Sequence, residues 1–302
     1  MNMTVSKAPG ALARFFDGDV WHSFKSSPMA ITAALIAALC VFCAVFANWV
    51  APHNPFDLAS VNLSDSRLPP AWVEGGSRTY LLGTDDQGRD ILSAIMFGAR
   101  ISLFVGVASV LVSMVVGVGL GLLSGFAGGK VDALIMRVCD VMLSFPSLLV
   151  ALLIDGVGHA MFPNAPPSLA FGVLIVAISL TGWVQYARTV RGSTLGARNR
   201  EYVQAARAFG VSDAGIMRRH VLPNVMHVVL IVAVLDFSGL VLYEAVLSYV
   251  GIGVDPTMIS FGTMINSARM ELGREPVVWW SLAAAFAAMF ILVLAANLFA
   301  DA

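Results

Sequence analysis

Four groups of residues in this chain have types and spacing that chemistry could use. Asp236 and Glu244 stand two helical turns apart within a long apolar run. Ionisable groups at that depth in a membrane are costly and face a cavity or a partner, so the pair could line a path, relay protons or hold neighbouring helices by hydrogen bonds. Cys40 and Cys43 have the C-x-x-C spacing of a thiol or metal site, but no His or second cysteine pair lies near them. They and Cys139 read as small buried hydrophobes. Gly125-Phe-Ala-Gly-Gly-Lys130 is glycine-rich and ends in lysine, yet its spacing does not fit G-x-x-x-x-G-K-[ST], and Val131 takes the hydroxyl position. Asp85, Asp86 and Asp90 cluster enough to raise calcium, but the EF-hand loop pattern is absent. His159 and His227 have no ligand spacing around them, and there is no Ser/His/Asp set. The chain reads as a non-enzyme with no metal, cofactor or nucleotide site of its own.

The elements that must position these residues follow from composition. Of 302 residues, 58% are hydrophobic and 12% charged, and the mean hydropathy is +0.81. That leaves too little polar surface for a water-soluble globule of this size, so the chain is read as an all-α polytopic membrane protein. Runs of about 20 apolar residues, the length that spans a bilayer, occur at 29–50, 101–126, 138–157, 168–189, 225–250 and 277–299. The first run is longer than a signal-peptide core and is read as a retained helix, with Ser27 as N-cap and Pro28 as first helical residue. In the second run Ser109, Ser113, Gly117, Gly121 and Gly125 recur every four residues. Such a small-residue face lets helix backbones approach in lipid.

Six spans put both termini on one side. With the N-terminus inside, the inner segments hold Lys7, Arg14, Lys25, Lys130, Arg137 and the seven arginines between Arg188 and Arg219. The outer loops hold only Arg67, Arg78, Arg89, Arg100, Arg269 and Arg274. The positive-inside bias therefore predicts cytoplasmic termini and a cytoplasmic segment between spans four and five.

That segment reads EYVQAARAFGVSDAGIMRRHVLPN from Glu201 to Asn224. Glu201 to Phe209 are good helix formers, with Tyr202, Ala206 and Phe209 on one expected face. Gly210 ends the helix, and Ser212 caps a second short helix that is expected to stop before Pro223, with Asn224 capping span five. A basic amphipathic helix on the inner leaflet would explain the arginines. It would not explain Ala205, Ala206 and Gly210, small residues suited to another protein's close approach. In the outer loop, Thr84-Asp-Asp-Gln87 fits a capping box, predicting a helix over 85–100 that lies along the outer face.

Gln204-Ala205-Ala206, three residues, Gly210, nine residues, His220, one residue, then Leu222-Pro223 resembles the EAA loop of bacterial ABC importer permeases, with Gln204 and His220 as departures from the usual Glu and Ile. Leu82-Gly83-Thr84-Asp85-Asp86-Gln87-Gly88-Arg89-Asp90, followed by Gly98-Ala99-Arg100-Ile101-Ser102-Leu103, resembles the signature of the dipeptide, oligopeptide and nickel branch. Pro69-Pro70-Ala71-Trp72 and Glu74-Gly75-Gly76-Ser77 look like the dipeptide C-type subunit, and the similarity runs from about residue 20 onward. The resemblance implies a type I ABC importer permease fold with a cytoplasmic segment over 1–28, a first helix over 29–50, a periplasmic loop over 51–100 and a five-span core over 101–300. It implies a coupling loop at about 190–224, in which Glu201, Gln204, Ala205, Ala206, Gly210, Ser212, His220, Leu222 and Pro223 face the ATPase. It further implies a second permease subunit, two cytoplasmic ATPases carrying ATP and Mg, a substrate-binding protein outside, no nucleic acid, and residence in the bacterial inner membrane. Dipeptides and oligopeptides are the expected cargo, with nickel, haem or glutathione as alternatives. A proton-coupled secondary transporter using Asp236 and Glu244 and a non-transporting scaffold stay open at this point. The family continues with a short charged tail, so the resemblance implies that the chain is cut short at Asp301-Ala302.

Overall fold

The computed structural model describes residues 25–57, 61–162, 166–255 and 257–301. Most of the segment expected over 1–28 lies outside the described residues. Within them the chain is helical, without a strand.

Helix α1 is Pro28–Val45, with Ser27 accepting a hydrogen bond from the Ala30 amide at 3.3 Å and Pro28 in its first turn. It breaks at Phe46 and resumes as the short α2, Ala47–Val50. Helix α3, Ile91–Ala127, runs 37 residues without interruption, so the surface helix and second span expected separately are one rod. Its start corrects the capping-box reading. Thr84 and its neighbours form a turn, and Asp90 is the cap, accepting from the Ser93 amide at 3.1 Å. Gly88 takes φ +80°, a left-handed conformation that glycine adopts without steric cost and that bends the chain away from a helix started at Thr84.

The third expected span is also revised. Helix α4, Gly129–Leu143, and helix α5, Ser147–Met161, meet at 87° across Ser144-Phe145-Pro146. Proline lacks an amide hydrogen and disfavours a helical residue before it, which ends α4 short of Pro146. Helix α6, Pro167–Ala197, is followed by the short helices α7, Glu201–Ala208, and α8, Asp213–Ile216. Helix α9 is Leu222–Val250, α10 Phe261–Glu271 and α11 Trp280–Asp301. Among the described residues, five helices are long and apolar enough to cross a membrane, and the bent α4–α5 pair would make a sixth span.

The core is the seam between α3 and α6. The small-residue face lies in it, with Ser109, Ser113, Gly117, Gly121 and Gly125 all buried. A methyl group added at Gly117 would lie 2.5 Å from the Trp183 carbonyl oxygen, and one at Gly121 would lie 2.6 Å from that of Ala187. The stripe therefore packs helices and does not line a conduit. Ser179 Oγ donates to the Ser109 carbonyl at 3.2 Å, fixing the register between the two rods.

Candidate functional site

The expected coupling segment stands at the end of the molecule where α3 and α6 finish. Val203 and Ala206 are buried and join the core, whereas Tyr202 is 39% exposed and Phe209 87%. The buried face is thus Val203 and Ala206, not the predicted Tyr202, Ala206 and Phe209, because α7 leans its middle against the core and leaves its end free. Phe209 follows α7 as its C-cap residue, and Gly210 at φ +77° turns the chain toward α8. A methyl group on Gly210 would meet nothing within 4 Å. Conformation, not crowding, is what requires glycine there. Ser212 caps α8, accepting from the Gly215 amide at 3.3 Å. Glu201 and Ala205 are exposed, as is Gln204, which donates to the Asn199 carbonyl at 3.2 Å.

Pro223 does not end this helix. The chain is helical from Asp213 through Val250 because Met217–Val221 forms one π turn, in which the Leu222 amide bonds the Met217 carbonyl. Widening the turn separates the proline ring from the preceding carbonyls that an α turn would press against it. Asn224 is within this helix, not a cap, and its side-chain amide donates to the His220 carbonyl at 2.8 Å. His220 is half-buried in the π turn, Leu222 is half-buried, and Pro223 is exposed.

Arginines that charge bias alone explained turn out to tether this segment. Arg191 pairs with Asp132 in the first turn of α4, to which Ser124 also donates. Arg198 Nη1 donates to the Gly125 carbonyl at 3.2 Å, satisfying an end group of α3. The Arg207 guanidinium sits 5.2 Å from the centre of the Phe126 ring and its Nε 3.5 Å from Asp213. Helices α3, α4, α6, α7 and α8 are thereby joined at one end. Gly125-Phe-Ala-Gly-Gly-Lys130, set aside above as a phosphate loop, is the end of α3, the connecting Gly128 and the start of α4.

The two acidic path candidates separate. Glu244 is fully buried; Ser102 donates to it at 2.6 Å and Ser248 at 2.8 Å. Ser102 also accepts from the Phe261 amide at 3.3 Å. Glu244 therefore knots α3, α9 and the start of α10, and its full burial closes it off from solvent in this geometry. Asp236 lines a cavity of about 470 Å³ with Ser147, Thr181, Gln185, Arg188 and Tyr243, and accepts from the Tyr186 hydroxyl at 2.9 Å. Arg188 is a basic residue on that wall which the span reading had assigned to the cytoplasmic segment; its Nη2 bonds Asp140 at 2.5 Å. Asp155, on α5, is a further buried acid absent from the sequence reading, although its place in an apolar run could have flagged it. A second cavity, of about 910 Å³, opens between α6 and α9 beside Asn199, Arg200, Glu201, Asn224 and His227.

At the opposite end, the 83–90 signature is a fastening. Asp85 accepts at one oxygen from the amides of Gln87 and Arg89, both at 2.9 Å, and at the other from Arg89 Nε at 2.6 Å. Thr84 is fully buried; its hydroxyl accepts from the Leu68 amide at 2.8 Å, and its carbonyl accepts from Trp280 Nε1 at 3.2 Å. Gly83 accepts from the first amide of α3 at 3.1 Å. Arg67 grips Glu271 at 2.6 and 3.3 Å, joined by Arg274 at 2.8 Å, and these guanidinium groups hold the Glu271 carboxyl below its usual range. Desolvation, with Asp85 nearby, pushes Asp86 upward.

Comparison with known proteins matches residues 117–302 to the binding-protein-dependent transport system inner membrane component family, and residues 16–70 to the N-terminal TM domain of oligopeptide transport permease C. The chain is 39% identical over 284 residues to the di/tripeptide transport system permease protein DppC of Pseudomonas aeruginosa, covering 94% of this chain and 88% of that protein. It is 40% identical over 287 residues to the dipeptide transport system permease protein DppC of Escherichia coli, with 94% and 89% covered. The glutathione transport system permease protein GsiD of Pectobacterium atrosepticum is 34% identical over 288 residues, with 94% and 87% covered.

Proposed function

We propose a function from one premise: this chain belongs to the family of inner-membrane components of binding-protein-dependent transport systems. It is the permease subunit of an ATP-driven importer, non-catalytic itself, and its cargo is di- or oligopeptides. The names of its relatives support that cargo class. The chain forms one half of the path, a second permease subunit forms the other half, and two ATPases holding ATP and Mg bind at the α7 end. A substrate-binding protein docks at the opposite end, outside the cell, so the termini and α7 are cytoplasmic.

The observation that carries the coupling assignment is Phe209, 87% exposed beside a bend enforced by Gly210. A large aromatic side chain left in water at such a bend fits an anchor for a partner's pocket. The ATPases would move the α7–α8 pair, and the arginine tethers would carry the motion into α3 and α6. Alternating access by rigid rearrangement about the path follows.

The test is ATP-driven uptake of labelled dipeptides by the four-component importer in proteoliposomes. Phe209→Asp is expected to abolish uptake while the chain still inserts and folds, since the side chain touches little of its own protein. Ala206, buried in the core, is unsuitable for that test. Uptake by this chain alone, driven by a proton gradient and indifferent to ATPase variants, would refute the proposal in favour of a secondary transporter.

A further inference from the structure

We infer that Asp236 is a specificity-determining residue of the path, a weak cation site that takes the ammonium group of a passing peptide. The inference rests on the peptide-importer reading for its cargo but on this chain's geometry for its charge. Tyr186 donates to Oδ2 of Asp236 at 2.9 Å, which fixes the carboxylate. Among the described residues no hydrogen bond is made to Oδ1, which is left to the cavity. The one basic residue on the cavity wall, Arg188, is hydrogen-bonded to Asp140. Arg188 is thus taken by Asp140, and among the described residues no ion pair is made to Asp236, so an ionised Asp236 leaves an excess negative charge at mid-span. Such a charge calls for a cation.

The cavity says which kind. At about 470 Å³ it falls in the range of small organic ligands, about 300–1,000 Å³, and far exceeds what one inorganic ion needs. Ser147, Thr181, Gln185 and Tyr243 supply hydrogen-bonding groups suited to a peptide backbone. A conduit must bind its cargo strongly enough to admit it and weakly enough to release it. One carboxylate in an open cavity with a few hydrogen-bonding side chains on its wall meets both conditions.

The experiment has two arms. In the assembled importer, uptake of a lysine-containing dipeptide is compared with that of a glutamate-containing one, before and after Asp236→Asn. The binding protein is the same throughout, so a change in the ratio of the two rates originates in the permease. Asn still accepts from Tyr186, which keeps the local packing. The ratio is expected to fall about threefold to tenfold, and Asp236→Glu is expected to restore most of it. Equal slowing of both peptides, or no slowing of either, overturns the inference. The second arm needs no uptake: Thr181→Cys on the cavity wall is labelled with a cationic and an anionic methanethiosulfonate, with the unsubstituted chain as blank. A severalfold preference for the cationic reagent that disappears with Asp236→Asn supports the site, and absence of that preference overturns it. A cation preference together with no ATP-driven peptide uptake by the wild-type importer would sink the proposed function while leaving the cation site in place.

Discussion

Replacing Gly117 by Ala tests whether the α3–α6 seam is as close as described. The added methyl group would sit 2.5 Å from the Trp183 carbonyl oxygen, 2.5 Å from Tyr186 Cβ and 3.0 Å from the Ala187 amide nitrogen. Two of these are backbone atoms of a helix and cannot rotate away, so the rods must separate. Overpacking of this kind costs about 1–3 kcal/mol. Alanine recovers about 0.5–1 kcal/mol of helix preference over glycine, leaving a net loss between about 0 and about 2.5 kcal/mol. Gly119, two residues along the same helix, is exposed and has nothing within 4 Å of an added methyl. Gly119→Ala should therefore be neutral or gain up to about 1 kcal/mol. The two variants should differ by about 2 kcal/mol, roughly 30-fold in the folded-to-unfolded ratio. Reversible unfolding by SDS titration in mixed micelles, followed by tryptophan fluorescence, measures this difference directly. Equal stability of the two alanine variants would refute the close-packed seam.

Three further outcomes are expected. Asp90→Ala removes the cap of α3 and should cost about 0.5–2 kcal/mol, seen as faster amide exchange over 90–94, with Asp90→Asn retaining most protection. Glu271 has a folded pKa below its unfolded value because Arg67 grips it, so its stabilisation is present above the unfolded value near 4.5 and is lost as pH falls through the lowered folded value. Proteolysis of the 61–90 loop should accelerate over that acid range in the wild type but not in Arg67→Ala/Glu271→Gln. Arg207→Gln and Phe126→Leu should each weaken the tether by about 0.5–1 kcal/mol and lower peptide transported per ATP hydrolysed. Their combination should cost less than the sum of the two, and full additivity in a double-mutant cycle would show that the ring and guanidinium do not interact.

What the sequence made legible was set by the range over which its signals act. The apolar runs other than 138–157, the Ser27 cap, the Gly210 stop, the Ser212 cap and the four-residue stripe are local patterns, and each is found close to where it was expected. Errors came where two local rules competed. Thr84-Asp-Asp-Gln87 satisfies the capping box, but Gly88 and the long-range bonds of Thr84 to Leu68 and Trp280 take the hydroxyl and carbonyl elsewhere. Pro146 and Pro223 carry the same helix-breaking signal, yet the first breaks α4 from α5 and the second is absorbed by a π turn. The role of Glu244 was invisible because one of its partners, Ser102, is 142 residues away. Arg188 and Asp236 reach a common wall only once α6 and α9 are packed.

The π turn has a mechanical consequence. By letting Pro223 stay within the helix, it merges α8 and α9 into a single strut of 38 residues, about 57 Å long at about 1.5 Å per residue. No flexible joint lies between the part that an ATPase could touch and the part that carries Asp236. A tilt of one degree about the midpoint moves each tip by roughly 0.5 Å at that length, whereas Asp236, close to the midpoint, barely shifts. On the proposed function, the Asp236 carboxylate would therefore sit near the fulcrum, steady while the two ends of the strut swing in opposite directions.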